Sequence, residues 1–175
     1  MAVSGAEVRV KQLDKIRLFR QFGQEILSEL AKVAVLRRVP KNKIVTHLGD
    51  IPSYIYSIIQ GKIRLSAPLS DGREFIFSDL GPGDTFDLTR LFITRGSNMN
   101  AASVVGSDLL QIEVAFMARV FDKHPDLALK VIPYLCEATH DAQERVIHSA
   151  ASALSTRLAS TLLRLTERPH SMATV

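Results

Sequence analysis

Histidine, cysteine and serine are the side chains of this sequence that could carry metal or nucleophilic chemistry. The chain holds five histidines and a single cysteine. Only His47 falls within the glycine-punctuated middle of the chain, where a cupin-type metal site would need three or four ligands, and no His-x-His pair occurs. No serine lies in a Gly-x-Ser-x-Gly setting. The sequence therefore predicts no catalytic residue, no metal site and no enzyme.

The cysteine content also limits redox chemistry. Cys136 has no second cysteine with which to form an intrachain disulfide, and it cannot supply the thiolates of an iron–sulfur cluster. No His or Lys adjoins it to lower its pKa, so we expect it to be a buried packing residue. No apolar stretch reaches the length of a membrane span and no signal peptide is evident, which predicts a cytoplasmic protein without a membrane partner.

The positive charge is confined to one end of the chain. The net charge is +4, and residues 1–45 contain ten Lys or Arg against four Asp or Glu, a balance of +6. Residues 46–175 therefore hold twelve basic and fourteen acidic residues, which is nearly neutral. A nucleic-acid reader concentrates basic residues near its reading element. We expect the basic N-terminal part to be a solvated surface instead.

Hydrophobic spacing divides the chain into elements. Residues 1–12 show no clear periodicity and predict a loosely ordered leader. From Leu13 to Leu30 apolar residues recur at helical spacing, and Gly23 separates two short helices. From Val33 to Val114, short runs rich in Val and Ile alternate with turn signals about every ten residues, which indicates antiparallel β structure.

One hairpin is well defined in this middle section. Residues 62–67 alternate polar and apolar side chains with a period of two, as a half-buried strand does. Ser70-Asp71-Gly72-Arg73 supplies the turn, with Gly72 at positive φ, and residues 74–77 form the partner strand. The last two strands are predicted at residues 100–105 and 109–114, joined at Gly106-Ser107-Asp108.

A long helix is predicted to follow the strands. Pro125 and Asp126 are typical of a helix start. Small and apolar residues then recur at spacings of three and four, and the helix is longer than a small roll could cover at about 1.5 Å per residue. We therefore predict a homodimer, with a seam formed by Val131, Leu135, Ala138, Ala142, Val146 and Ser149. A second amphipathic helix is predicted from about Ser155 to Thr166, before Pro169.

The order and spacing of these elements resemble the Crp/Fnr family of bacterial transcription regulators. The matching pieces are Leu18-Phe19, Gly49-Asp50, Ile59-Gln60-Gly61-Lys62-Ile63, Asp71-Gly72-Arg73-Glu74, Leu80-Gly81-Pro82-Gly83-Asp84, His124-Pro125-Asp126-Leu127 and Arg157-Leu158-Ala159-Ser160-Thr161-Leu162-Leu163. The resemblance implies an α+β, mainly β fold: an antiparallel, jelly-roll-like β-roll flanked by N-terminal helices and a long C-terminal dimerisation helix. It assigns residues 13–122 to the roll, 123–153 to the dimerisation helix and 154–175 to the first helix of a DNA-binding domain.

The same resemblance places a small-molecule effector pocket in the roll. Family members that bind cyclic nucleotides hold the ribose with a Gly-Glu-Leu turn and the cyclic phosphate with the Arg of Arg-Ser-Ala. This sequence has Phe86-Asp87-Leu88-Thr89 and Asn100-Ala101-Ala102 at those places. Without the arginine a buried phosphate would lack its countercharge, so a cyclic nucleotide is not the expected ligand. The cofactor stays open, and no histidine has a diagnostic setting for haem. The candidate pocket comprises Phe86, Asp87, Leu88, Thr89, Arg90, Arg95, Asn100, Ala101, Ala102, Ala142 and Gln143.

Two functions remain open. The first is the effector-sensing, dimerising part of a Crp/Fnr-like transcription regulator, in which an effector repositions the long helix. It would contact DNA only if a helix-turn-helix reader follows Val175, since the sequence stops before that motif. The second is an interaction module without a reader, which regulates a partner protein or a full-length relative.

Overall fold

The computed structural model describes the backbone of residues 5–166 and the side chains of residues 9–147. The helices are α1 (Gly5–Asp14), α2 (Gln24–Val33), α3 (Val114–Lys123) and α4 (Asp126–Thr166), with 3₁₀ turns at Arg17–Phe19 and Leu88–Leu91. The strands are β1 (Val35–Val39), β2 (Ile44–Thr46), β3 (Tyr54–Gln60), β4 (Ile63–Pro68), β5 (Glu74–Leu80), β6 (Thr85–Phe86), β7 (Asn100–Ser103) and β8 (Ser107–Glu113). This is the predicted antiparallel roll with flanking helices.

The strands form two four-stranded antiparallel sheets. The first sheet has the order β1-β8-β3-β6 and the second has the order β2-β7-β4-β5. The predicted hairpin is confirmed as β4 and β5, with Gly72 at φ 82°. β7 and β8 follow each other along the chain but lie in different sheets, so a crossing turn joins the sheets at this point.

Each face of the first sheet packs against a different layer. In β3 and β8, Ile55, Leu110 and Ile112 point to the helices and join a large apolar cluster with residues of α1, α2, α3 and α4. Their strand neighbours Tyr56 and Leu109 point the other way, into a smaller cluster between the two sheets. This alternation follows from the period of two in a strand. We call these the helix-side face and the inner face of the first sheet.

The N-terminal helices pack on the helix-side face. Leu13, Phe19, Leu27 and Leu30 are fully buried there. Helix α2 begins after Gly23, as predicted, but α1 begins at Gly5. The predicted loose leader is therefore wrong for residues 5–12, while residues 1–4 lie outside the described part. The apolar pattern of α1 is too weak to predict a helix from the sequence. Tertiary contacts hold this helix in place, including the hydrogen bond from Arg9 Nη1 to the Ala31 carbonyl at 3.0 Å.

The turn after β3 requires glycine. Gly61 adopts φ 98°, and a Cβ at this position would overlap the backbone and side chain of Ser107. Ser107 Oγ accepts a hydrogen bond from Lys62 N at 3.1 Å, and the turn after β3 therefore lies directly against the start of β8. Only a residue without a side chain permits this approach. The motif Gln60-Gly61 thus fixes the path between the sheets.

The C-terminal helix α4 is continuous from Asp126 to Thr166, and Pro133 lies within it. The predicted boundary between a helix ending at residue 153 and a second helix near Ser155 is therefore wrong for the backbone, because no helix-breaking residue separates the two segments.

The chain divides into two compact units, Met1–Cys136 and Glu137–Val175, and each is described by itself. Within the described residues, none of the helices combines the length and the apolar character that a membrane crossing requires.

Candidate functional site

The segment between β6 and β7 begins with a backbone reversal at Asp87. Asp87 adopts the left-handed conformation, with φ 61° and ψ 15°, between β6 and the turn Leu88–Leu91. Asp is among the few residues that enter this region at modest cost. Phe86 and Leu88 on either side are buried. The reversal brings the Asp87 carboxylate to β2 of the second sheet, where the Thr46 hydroxyl donates a hydrogen bond to Oδ2 at 2.7 Å.

Burial sets the charge state of Asp87. The pKa of its carboxyl group is raised to about 6. Loss of solvation raises this pKa most, the Thr46 hydrogen bond lowers it, and the nearby charge of Asp50 raises it. No arginine or lysine pairs with Asp87 among the described residues. A carboxylate with this pKa changes protonation state close to neutral pH. Asp87 therefore places a titratable, partly desolvated acid at the position where the resemblance expects the glutamate that holds the ribose.

Asn100 has a structural partner. Its Oδ1 accepts a hydrogen bond from Leu48 N at 2.8 Å, which ties the start of β7 to the turn after β2. Two further bonds join the same loops, from Gly49 N to the Ser97 carbonyl and from Ser97 N to the Asp50 carbonyl, both at 2.7 Å. Gly96 allows this approach, since a Cβ there would lie 2.5 Å from the Gly49 carbonyl oxygen. The amide thus holds two loops together in the place where the resemblance expects an arginine.

The remaining predicted residues of this segment divide between surface and core. Arg90 is half-buried and donates from Nη1 to the Ile93 carbonyl at 2.9 Å, while its Nε is buried without a hydrogen-bond partner. Thr89 and Arg95 are exposed. Ala101 is buried between the sheets and Ala102 is half-buried. The structure brings Phe86, Asp87 and Ala101 to the inner part of the roll, buries Leu88 in the cluster on the helix-side face, and leaves Thr89 and Arg95 at the surface.

Tyr134 connects this segment to α4. Thr85 N donates to the Tyr134 hydroxyl at 3.0 Å, and that hydroxyl donates to the Thr85 carbonyl at 3.1 Å. Burial raises the pKa of the Tyr134 phenol, so it stays protonated and able to donate. Both backbone groups of the residue two positions before Asp87 are therefore held by one side chain of the helix. Tyr134 was not among the predicted site residues, and its only signal in the sequence is that it is the one aromatic residue between residues 126 and 166.

Two residues of the inner face, Tyr56 and Arg37, were likewise not predicted as site residues. Tyr56 stacks on Phe86, with ring centroids 5.1 Å apart and an interplanar angle of 18°. The guanidinium of Arg37 lies over the Tyr56 ring at 5.9 Å and donates to its hydroxyl at 3.3 Å. Burial raises the pKa of Tyr56, and Arg37 partly offsets that rise. Neither residue belongs to a motif, so only the register of the strands could identify them.

The predicted seam on α4 needs correction in its first part. Val131 is fully buried in the cluster of the helix-side face, and Leu135 packs against that cluster. These two residues therefore face the core of their own chain. Leu129, Ile132 and Cys136 are exposed instead, at spacings of three and four. Cys136 is therefore a surface residue, and the expectation that it is buried is wrong.

The second unit contains the other predicted residues of α4. Ala138, Gln143 and Val146 are exposed and Ala142 is half-buried, while the side chain of Ser149 lies outside the described residues. Participation of Ala142 and Gln143 in the pocket stays a prediction. Within residues 9–147, no group of three or more His, Cys, Asp or Glu side chains is placed to hold a metal ion.

Comparison with known proteins identifies the fold family. The model of the cyclic nucleotide-binding domain matches residues 36–124, about half of the chain. Among curated proteins, the cAMP-activated global transcriptional regulator CRP of Haemophilus influenzae is 23% identical over 139 residues, which cover 78% of this chain. The match spans 62% of that regulator's length.

Solved structures show the same fold. The sensor domain of the transcriptional regulator DNR from Pseudomonas aeruginosa matches with a TM-score of 0.70 and 22% identity, over 81% of this chain and 95% of that domain. A cyclic nucleotide-binding domain from Methylobacillus flagellatus matches with a TM-score of 0.69 and 16% identity, over 82% of this chain and 83% of that chain. The chain therefore belongs to the cyclic nucleotide-binding domain family and is similar to the sensor domains of Crp/Fnr-like regulators.

Proposed function

We propose that this chain is the effector-sensing and dimerising part of a Crp/Fnr-like transcription regulator and that its effector is not cyclic AMP. One observation carries the sensing role: the Tyr134 hydroxyl bonds both the N–H and the carbonyl of Thr85. Thr85 belongs to β6, and the predicted pocket begins at the next residue. A ligand that displaces β6 must therefore strain or break two hydrogen bonds to α4. This is the differential contact that a ligand-controlled equilibrium requires.

The polarity of the pocket argues against cyclic AMP. Asn100, at the position of the family's phosphate-binding arginine, is neutral and already bonded to Leu48 N. A cyclic phosphate would therefore meet no guanidinium at this position. Calorimetry with cyclic AMP and cyclic GMP tests this inference. We expect no binding at micromolar ligand, and micromolar affinity for either nucleotide would contradict it.

Dimerisation is proposed through the exposed stripe that begins at Leu129, Ile132 and Cys136. Along the sequence the same spacing of three and four continues through Thr139 and Gln143 to Val146, which is the heptad pattern of a paired helix. Leu129 is 68% exposed and Ile132 is 50% exposed in the single chain. Pairing with a second copy would remove this apolar area from water.

Light scattering on Ile132→Glu tests the dimer. A charge in the seam should give a monomer because burial of an unpaired carboxylate is costly. Ala138→Glu is the matched control: it is exposed on the same helix and lies outside the revised stripe, so its dimer should persist. Monomers from Ala138→Glu together with a dimer of Ile132→Glu would contradict the revised stripe. In this proposal the protein is cytoplasmic, and it contacts DNA only if a helix-turn-helix reader follows residue 175.

A further inference from the structure

The inner face of the first sheet carries a group of polar side chains at its open end. Arg37 pairs with Leu109 across β1 and β8, and Gln111 pairs with both Val35 and Tyr56. Residues paired across strands share a face, and Leu109 and Tyr56 belong to the cluster between the sheets. Arg37, Gln111 and Tyr56 therefore all lie on the inner face. We call this group the Arg37 corner.

The corner has unused hydrogen-bonding capacity. Arg37 makes one hydrogen bond, to the Tyr56 hydroxyl at 3.3 Å, and within the described residues no carboxylate pairs with it. A guanidinium carries five N–H donors in a planar fork. No hydrogen bond involves the Gln111 side chain among the described residues, and Gln111 is half-buried. By contrast, Arg38 on the opposite face of β1 is paired with Asp108 at 3.1 Å.

The corner is accessible and has an aromatic wall. Val35 is 54% exposed, and Tyr54 and Gln111 are half-buried, so solvent reaches this end of the inner face. The rings of Tyr54 and Tyr56 are 6.3 Å apart, and Tyr56 stacks on Phe86. A planar ligand could therefore pack on the half-buried Tyr54 ring while its charged end reaches the guanidinium. Two carboxylates lie in the surroundings: Glu113 is exposed and pairs with Tyr54 one row further out, and Asp87, whose charge acts on Tyr56, is hydrogen-bonded to Thr46.

We propose that the Arg37 corner binds the oxyanion, a carboxylate or a phosphate monoester, of a planar aromatic effector. This assignment rests on the proposed sensing function and names the ligand class of that same roll. The proposed anion-binding residue, Arg37, lies on β1 of the first sheet, whereas Asn100, at the position of the family's arginine, lies on β7 of the second sheet. Arg37 and the amide of Gln111 bind the oxygens, the Tyr56 hydroxyl donates a third hydrogen bond, and the Tyr54 ring packs against the ligand plane.

The test uses ¹⁵N-labelled full chain titrated with benzoate, phenyl phosphate and neutral benzyl alcohol. We expect the side-chain signals of Arg37 and Gln111 to shift with at least one anion and not with the alcohol. The anion with the stronger effect distinguishes a carboxylate from a phosphate ligand. Arg37→Gln should weaken that binding about tenfold or more, the value of a charge-assisted hydrogen bond. Arg38→Gln, on the other face of the same strand, should leave the affinity unchanged.

A second variant tests the same site in case Arg37→Gln does not fold. Gln111→Glu keeps the size of the side chain and places a carboxylate beside the guanidinium, which should abolish anion binding while the fold is retained. If neither anion shifts the Arg37 and Gln111 signals, or if Arg37→Gln and Arg38→Gln behave alike, the inference is wrong. The dimer mass and the nucleotide calorimetry are measured separately, so the sensing proposal can survive this failure.

Discussion

The two faces of the first sheet have the same backbone and different chemistry. On the helix-side face, Ile55, Leu110 and Ile112 join a large apolar cluster, and the buried hydroxyls of Ser57 and Thr85 bond each other at 2.9 Å. On the inner face, apolar residues such as Leu109 stand beside Arg37, Gln111 and Tyr56. Asp87 and Thr46 form a further polar pair within the roll. Adjacent residues of one strand thus belong to different environments.

This difference places the residues that stabilise the fold on one face and the proposed ligand-binding residues on the other. An apolar, well-packed layer stabilises the fold without offering any group for recognition. A half-buried guanidinium or a desolvated carboxylate costs free energy in the empty protein, and a ligand that satisfies it recovers that cost. In the proposed function the helix-side face is the scaffold and the inner face is the site. Four substitutions test this division, and they are given in order of expected effect.

The largest effect is expected from Leu110→Ala on the helix-side face. Leu110 is 1% exposed, and such truncations cost about 2–5 kcal/mol of unfolding free energy through lost burial and the remaining cavity. Leu109→Ala is the matched control on the inner face, one residue earlier. Its loss should be smaller because Arg37 and Gln111 are half-buried and can move toward the space. Urea unfolding measures both, and a larger loss for Leu109→Ala would contradict the division.

Asp87→Asn should stabilise the protein at neutral pH. The folded pKa of about 6 lies above the usual 3.8, so the native state binds the proton more tightly and its stability falls as pH rises from about 4 to about 6. Asparagine tolerates the left-handed backbone and can still accept the Thr46 hydrogen bond. The gain at pH 7 should be on the order of 1–3 kcal/mol.

The pH dependence separates this gain from an unrelated packing effect. Below about pH 4 the carboxyl group is protonated in both the folded and the unfolded protein, so the difference between wild type and Asp87→Asn should disappear there. Thermal unfolding across this range measures the difference. A gain that stays constant with pH would show that the charge of Asp87 is not its cause.

Tyr134→Phe tests the hydrogen bonds between helix α4 and strand β6. Loss of the hydroxyl leaves the N–H and the carbonyl of Thr85 without their partner, which should cost about 1–2 kcal/mol of unfolding free energy. The control is Tyr54→Phe, since Tyr54 is half-buried and no hydrogen bond of its hydroxyl is described. Equal losses for the two variants would remove Tyr134 from the proposed connection between β6 and α4.

The smallest effect is expected from Arg38→Gln. Arg38 lies on β1 beside Arg37 but is 84% exposed, and its ion pair with Asp108 is open to solvent. Exposed pairs of this kind contribute less than about 1 kcal/mol. The same chemical denaturation that is used for Leu110→Ala measures it. A loss comparable to that of Tyr134→Phe would mean that this surface pair is part of the scaffold.

Local patterns were sufficient for the order of elements and for the hairpin. The hairpin of β4 and β5 and Gly72 at positive φ depend on near neighbours in the chain, and the structure has both as predicted. The predicted alternation of residues 62–67 is wrong at Ser66, which is buried where the strand register shifts. Gly23 likewise separates two helices because its effect is local. The family resemblance rests on the same short-range motifs, and the match to residues 36–124 confirms it.

Long-range packing decided the rest. The sequence places apolar residues on two stripes of α4, and only the fold shows that Val131 faces its own core while Ile132 is exposed. Helix α1 has too weak a pattern to be recognised without α2 beside it. Likewise, Arg37 and Gln111 are 74 positions apart in the chain, and strand register alone brings them to one face. Periodicity determines which residues share a face, whereas the tertiary structure determines whether that face contacts another layer of the protein or solvent.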